Sequence, residues 1–216
     1  MKVLRIHLKA WTASYRFPPF AAVQPSLAVP PLSTLYGLIS AVAGRLVFPD
    51  ETSIGFVAPF EAKGCRDIEK IYGVLKTGKL SLAGNVIERE FIYNSEVFLY
   101  LDNLKLEQAF RSPRYPPLLG RSYDLAKVVS VITVDLKPVP NTKLSYTILP
   151  YLWEGVASPI LALPVAFDEE TPRRPLKVQS YHIIEDRGVD VKGDGLFLDE
   201  ELDHGVYIHD NRSCKV

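Results

Sequence analysis

The apolar residues alternate with a period of two in some stretches and fall on one helical face in others. The order of these stretches constrains the fold more than any other feature of the chain. Val3 to Lys9 alternates strictly, with Leu4, Ile6 and Leu8 on one side and Arg5, His7 and Lys9 on the other. This is the pattern of a half-buried strand with a basic outer face. At Leu32 the pattern turns helical: Leu32, Leu35, Tyr36, Ile39, Val42, Ala43 and Leu46 share one face, and Ser33 or Thr34 is the expected cap. Ser53 to Phe60 and Glu90 to Leu101 read as strands, and Asn103 to Phe110 as a short helix capped by Asp102 or Asn103. Lys127 to Val139 reads as a β-branched strand. The order strand, helix, strand, strand, helix, strand predicts an α+β fold: a ferredoxin-like (RRM-like) βαββαβ unit over residues 1–140. That scaffold by itself says little about function.

Three stretches interrupt the pattern. Trp11 to Pro31 contains Pro18, Pro19, Pro25, Pro30 and Pro31 and reads as a long ordered loop, a type of segment that is usually functional. An insertion at about 61–88 separates the second and third strands. Within it Ile68, Ile71, Tyr72 and Leu75 fit a helix, while Ile71, Gly73 and Leu75 alternating with Tyr72 and Val74 fit a strand; periodicity leaves both open. Lys76 to Asn85 is expected to be a mobile tip. On the first helix Gly37, Ala41 and Gly44 form a small-residue stripe, expected to pack closely against a sheet or another backbone. After Pro140, aromatic strand-like pieces at Tyr146–Trp153, Val178–Ile184 and Val206–His209 predict a β-rich C-terminal extension over 141–216.

Composition narrows the class. Of the 216 residues 47% are hydrophobic and 23% charged, which excludes a disordered chain, and no apolar run approaches the roughly 18 residues of a membrane span. The N-terminus runs straight into a strand and carries no signal-peptide pattern, so the expected location is cytoplasmic with no membrane partner. Cys65 and Cys214 are far apart in the chain and read as incidental thiols. The zero net charge conceals a segregation. Met1 to Pro49 has five cations and no acid, Lys105 to Pro150 has seven cations against three acids, and Glu185 to Asp210 has nine acids against two cations. Such a chain can offer a polyanion one surface and a basic partner another.

The block Tyr115-Pro116-Pro117-Leu118-Leu119-Gly120-Arg121-Ser122-Tyr123-Asp124-Leu125-Ala126 carries the clearest chemical signal. Gly120 can adopt a conformation that exposes amide N–H groups, Arg114 and Arg121 offer forks that match phosphate oxygens, and Ser122 adds a hydroxyl. The competing reading is a surface loop in which Ser122 or Asp124 caps the following segment. No Ser-His-Asp order, Walker loop or dinucleotide glycine fingerprint is present. Asp203, His204, His209 and Asp210 are metal-binding residue types, but their spacing is not a ligand pattern, so no metal and no cofactor are expected.

Tyr15-Arg16-Phe17-Pro18-Pro19-Phe20, Val29 to Leu38, Arg89-Glu90-Phe91-Ile92-Tyr93-Asn94 and Leu119 to Ala126 together resemble the fifth CRISPR-associated (Cas) protein family, of the RAMP superfamily, closest to its subtype I-B branch. The resemblance implies a non-catalytic subunit of Cascade, the RNA-guided surveillance complex of type I CRISPR systems, acting in antiviral defence. It implies a palm with an inserted thumb, here the segment at about 61–88. Such a subunit caps the 5′ handle of the guide RNA (crRNA), touches the large subunit and a backbone subunit, and meets target DNA only through the complex. Single-stranded RNA is gripped by its phosphates and read through unstacked bases. Arg16, Arg111, Arg114 and Arg121 are candidates for phosphate, and Tyr15, Phe17 and Tyr115 for stacking. Ser33, Thr34 and Gly37 would present helix N–H groups, and Gly120 and Ser122 the turn. One branch of the family cuts precursor RNA without metal, so a metal-independent endoribonuclease is the first alternative. It would need a histidine in a basic setting, for which only His7 qualifies, since His204 and His209 lie among acids. A standalone small-ligand enzyme on the same scaffold is the second.

Overall fold

The alternation that begins at Val3 runs well past Lys9: strand β1 spans Lys2–Ala13, so Trp11 belongs to a strand and not to the proline-rich loop. The structure is a computed structural model that describes residues 1–17, 23–71, 74–76, 79–81, 85–153 and 155–212. Helix α1 (Leu32–Ala43) follows, then β2 (Ile54–Val57), β3 (Phe60–Ile71), β4 (Asn85–Leu101), the short helix α2 (Glu107–Arg111) and β5 (Ala126–Asp135). In the main sheet β5 pairs with β1 and β1 with β4, while β2 and β3 pair in succession along β4; all these pairings are antiparallel. Val23–Gln24 adds a short parallel rung beside Glu88 and Arg89. The architecture is mixed and strand-rich, with few helices.

Neither Ser33 nor Thr34 caps α1. Pro31 is the N-cap, and its carbonyl accepts from the Thr34 and Leu35 amides. The helix stops at Gly44, short of Leu46, in a left-handed cap with the Arg114 stem against it. At α2 a 3₁₀ turn comes first, and Asn103 is the residue whose side chain accepts from the Lys105 amide. Asp102 is used elsewhere, accepting from the Ser53 amide and the Thr52 hydroxyl.

The described residues of the insertion are strand, while Tyr72 and Gly73 lie outside the described residues. β3 and the first half of β4 form a long ribbon paired from Phe60↔Ser95 to Ile71↔Asn85, continued by Val74–Lys76 against Lys79–Ser81. Cross-strand charges support that register: Arg66 pairs with Glu88, and Arg89 with Glu69. Of the expected mobile tip, residues 77, 78 and 82–84 lie outside the described residues.

Inward residues of β1 (Leu4, Ile6, Leu8) and β4 (Val97, Leu99, Leu101) are fully buried against Leu35, Ile39 and Val42 of α1. The C-terminal strands β6 (Thr147–Pro150), β7 (Ile160–Phe167) and β8 (Pro175–Ile184) make a second sheet in the order β6-β8-β7. Its Ile148, Leu163, Val165 and Ile183 join the same core. A last hairpin, β9 (Leu196–Asp199) and β10 (His204–Tyr207), lies on the other side of the main sheet, where Val206 packs with Val3 and Tyr100. There Arg5, 7% exposed, is paired to Asp199 and Glu201 at 2.6 Å each, and the Tyr100 hydroxyl donates to Asp199 at 3.0 Å. One cation of the basic N-terminal stretch is thus consumed by the acidic tail.

Candidate functional site

Beyond Ala13 the chain bends. The Ser14 amide donates to the Leu119 carbonyl at 2.9 Å, Tyr15–Arg16 pairs with Ser26–Leu27, and Gln24 is held beside Arg89. These contacts bring Ser14, Arg16 and Gln24 next to the Thr34, Gly37 and Ala41 face of α1. Arg89 arrives from β4, and Gly120 and Arg121 from the turn after α2. Together they enclose an open cleft of about 500 Å³. A Cβ built at Gly37 would meet nothing within 4 Å. The small-residue stripe therefore borders open space at Gly37, contrary to the close packing expected of it, and is packed at Gly44, where the Arg114 stem lies.

Gly120 has a structural reason for being glycine. Its φ is +123°, and a Cβ there would stand 1.9 Å from the Ser14 carbonyl oxygen, so only glycine lets the turn approach the end of β1. The turn itself is closed by its own carboxylate. Asp124, fully buried, accepts from the Arg121 amide at 3.0 Å, from Arg121 Nε and Nη2 at 3.0 and 3.1 Å, and from the Thr12 hydroxyl at 2.6 Å. The Arg121 guanidinium also lies 4.3 Å from the centre of the Tyr123 ring and 5.6 Å from that of Phe91. Asp124 thus ties the turn to itself and to Thr12 and does not cap the segment that follows; as a buried carboxylate it needs its cation, and it takes donors that a free phosphate nest would have used. One nitrogen is left over: Arg121 Nη1 has no hydrogen-bond partner among the described residues and stands 3.8 Å from both Asp67 and Glu69. Arg89 is paired to Glu69 at 2.6 Å. Arg16 is exposed, and no acid pairs with it among the described residues, so it carries the uncompensated charge of the cleft.

Solved structures share this arrangement of strands. One, titled "CRISPR RNA-guided surveillance complex", is 17% identical, with a TM-score of 0.57 over 87% of this chain and 90% of that one. Another, a CRISPR protein from Archaeoglobus fulgidus, is 13% identical, with a TM-score of 0.54 over 97% and 99%. The chain has the fold of CRISPR-associated proteins. Neither a protein-family model nor a curated protein sequence matches it.

Within this CRISPR-associated fold the residues singled out from the sequence separate into groups. Arg16, Thr34, Gly37, Gly120 and Arg121 line the cleft. Tyr15 does not present a stacking face: it is 1% exposed, and burial pushes its phenol pKa up. Phe17 is half-buried and packs against the core. Ser33 is half-buried at the start of α1 and is not in the lining. Arg111 is held by Glu107 and the Val131 carbonyl, and Arg114 lies over its neighbour Tyr115 with its amide bound to the Val42 carbonyl. Arg111, Arg114, Tyr115 and Ser122 are exposed but outside the lining, so the basic front of the chain does not form one groove.

Arg89, Gln24 and Ser14 were not foreseeable as site residues from spacing alone. Arg89 shares the ribbon face of Ile87 and Phe91 by period-two alternation, which is the one local signal it carries. No histidine lines the cleft among the described residues. His7 is engaged by Glu96 at 2.8 Å and stacked on Phe98, and burial lowers the pKa of His204. His209 is fully enclosed by Phe56, Tyr181 and Tyr207, and burial takes its pKa down to about 3. Ser158 Oγ lies 3.1 Å from His182 Nδ1, but His182 Nε2 is buried without a partner among the described residues, so no carboxylate orients the ring as a hydrolytic triad requires. Among the described residues no group of three metal-binding side chains occurs. No helix there is long and apolar enough to cross a membrane.

Proposed function

We propose that this protein is a non-catalytic subunit of a type I CRISPR RNA-guided surveillance complex and holds the 5′ handle of the guide RNA in the cleft beside α1. The observation that carries the reading is the unpaired Arg16 on an open cleft floored by Gly37, to which Arg89 and Arg121 come from two other segments already paired to acids. An unpaired cation over a surface with no side chain suits a close-approaching phosphodiester, and the N-terminal half of α1 adds a positive dipole end. The β5-β1-β4-β2/β3 order, with helices after β1 and after β4, supports a ferredoxin-like palm, and the β3–β4 ribbon supports a thumb. The large and backbone subunits are the partners that this role requires, and it places the protein in the cytoplasm.

Catalysis is the weaker reading, because general acid–base cleavage of RNA needs a titratable side chain at the bound phosphate and the lining offers arginine, hydroxyl and amide groups. The test is fluorescence anisotropy with repeat-derived RNA across a salt series, with Arg16→Glu in parallel. Tight, salt-sensitive binding that Arg16→Glu abolishes is the expected result. Equal affinity for the two proteins refutes the cleft, and RNA cut during incubation in EDTA refutes the non-catalytic assignment.

A further inference from the structure

The outer face of the main sheet is divided. The β9–β10 hairpin covers the end that carries Val3, Arg5 and Tyr100, all buried. The other end is bare. There Trp11 is 74% exposed, Leu125 60% and Val129 47%, with Tyr93 at a tilted ring distance of 6.3 Å from Trp11. Trp11, Leu125 and Val129 border a shallow groove of about 530 Å³ whose lining contains two cations, Lys9 and Lys127, and no carboxylate. The two lysines are direct cross-strand partners, β1 against β5. Like charges placed opposite one another destabilise a sheet. Lys9 is relieved by Glu96 at 2.8 Å, and the Lys9 hydrogen bond holds that carboxyl below its ordinary range. Lys127 has no acid partner among the described residues.

An exposed indole on a flat strand platform beside an uncompensated cation matches the chemistry of one nucleotide: a base with two π-faces and a phosphate within reach. An apolar protein partner would not account for the lysine pair. The groove also adjoins the cleft. The chain passes from Trp11 of β1 at the groove to Ser14, just beyond β1, at the cleft, and the turn bridged at Leu118↔Leu125 gives Leu118 to the cleft and Leu125 to the groove. The cleft and the groove thus share one turn and the end of one strand.

We propose that the bare half of the outer sheet face is a stacking platform for an unpaired base of single-stranded RNA, seated on the Trp11 indole with its phosphate at Lys127 and Lys9. That this is the same strand as the one in the cleft rests on the function proposed above; the platform itself does not.

The chain has two tryptophans, so a Trp153→Phe background leaves Trp11 as the sole indole reporter. Titration of that protein with single-stranded RNA of about eight nucleotides is expected to quench its emission, while an RNA duplex of the same sequence does not. Trp11→Ala is expected to weaken binding about tenfold or more, with Trp11→Phe retaining most of the affinity. Absence of quenching at saturation, equal quenching by duplex, or quenching by single-stranded DNA but not RNA each overturns the proposal. So does a Trp11→Ala protein that keeps its RNA affinity but loses co-elution with a protein partner. Arg16→Glu separates the two sites: quenching that survives it supports the platform whatever becomes of the cleft, and Arg16-sensitive binding without quenching refutes the platform alone.

Discussion

Gly37 offers a way to close the cleft without harming the fold. It sits in the interior of α1 with ordinary helical backbone, and nothing lies within 4 Å of the position a Cβ would take. Glycine in a helix interior costs about 1 kcal/mol relative to alanine, because the unfolded chain has more backbone freedom to lose. Gly37→Ala should therefore stabilise the protein by about 1 kcal/mol, a rise in Tm of about 2–4 °C for a chain of this size. Gly37→Leu should stabilise nearly as much, since leucine is almost as good a helix former. It also projects a branched four-carbon side chain into a cleft of only about 500 Å³. Urea denaturation and thermal melts measure the first effect, and anisotropy with repeat-derived RNA the second. Stability that rises while RNA affinity falls at least tenfold, about 1.4 kcal/mol, is the expected pair of outcomes for leucine, with alanine changing binding little. A destabilised Gly37→Leu protein would refute the claim that this face is open. Unchanged affinity in a stabilised one would refute the claim that RNA occupies it.

Arg121→Ala should act mainly on stability: it strands the buried Asp124 carboxylate, a defect of about 3–5 kcal/mol, and a loss below about 1 kcal/mol in urea denaturation would refute the structural role of the pair. Arg16→Ala should leave stability within about 0.5 kcal/mol and flatten the dependence of log affinity on log salt by about 0.7; an unaltered slope would mean that Arg16 meets no phosphate. His209 should make the fold acid-sensitive. Its folded pKa of about 3 lies below the unfolded value of about 6.5, so the unfolded chain takes up a proton that the folded one refuses, and stability falls as pH drops from about 6.5 towards 3. Between pH 7 and pH 5 this amounts to about 2 kcal/mol. Denaturation across that range should show the slope reduced by about one proton in His209→Phe, and an identical slope would refute the assignment.

Local pattern carried the main elements because each reflects short-range chemistry. The alternation at Leu4, Ile6 and Leu8 and the helical face from Leu32 to Val42 arise from the need to bury one side of an element, which the order of residues records directly. Arg16, Thr34, Gly37, Gly120 and Arg121, named from the sequence as candidates, are brought together along the cleft. Which of the named residues face a ligand was not legible. Tyr15 and Phe17 carry the same local signal as Tyr115, yet the first two are taken into the core and the last is left outside, because the bend after Ala13 turns that segment over α1. The helical and extended readings of Ile68 to Ile71 were equivalent until β4 supplied a partner edge with matching charges nearby.

Sequence alone therefore determined β1, α1, β2, β4, α2 and β5, the segregation of charge and the family likeness, all properties of neighbours along the chain. Tertiary structure decided which charges remain free. Arg5 meets Asp199 across 194 residues, and Arg121 is claimed by Asp124 and approached by the ribbon acids Asp67 and Glu69. Pairing depends on distance in space, over which Coulomb attraction and desolvation act, and only the folded chain sets that distance. Arg16 and Lys127 are the cations that this sorting leaves beside an open cleft and an open groove.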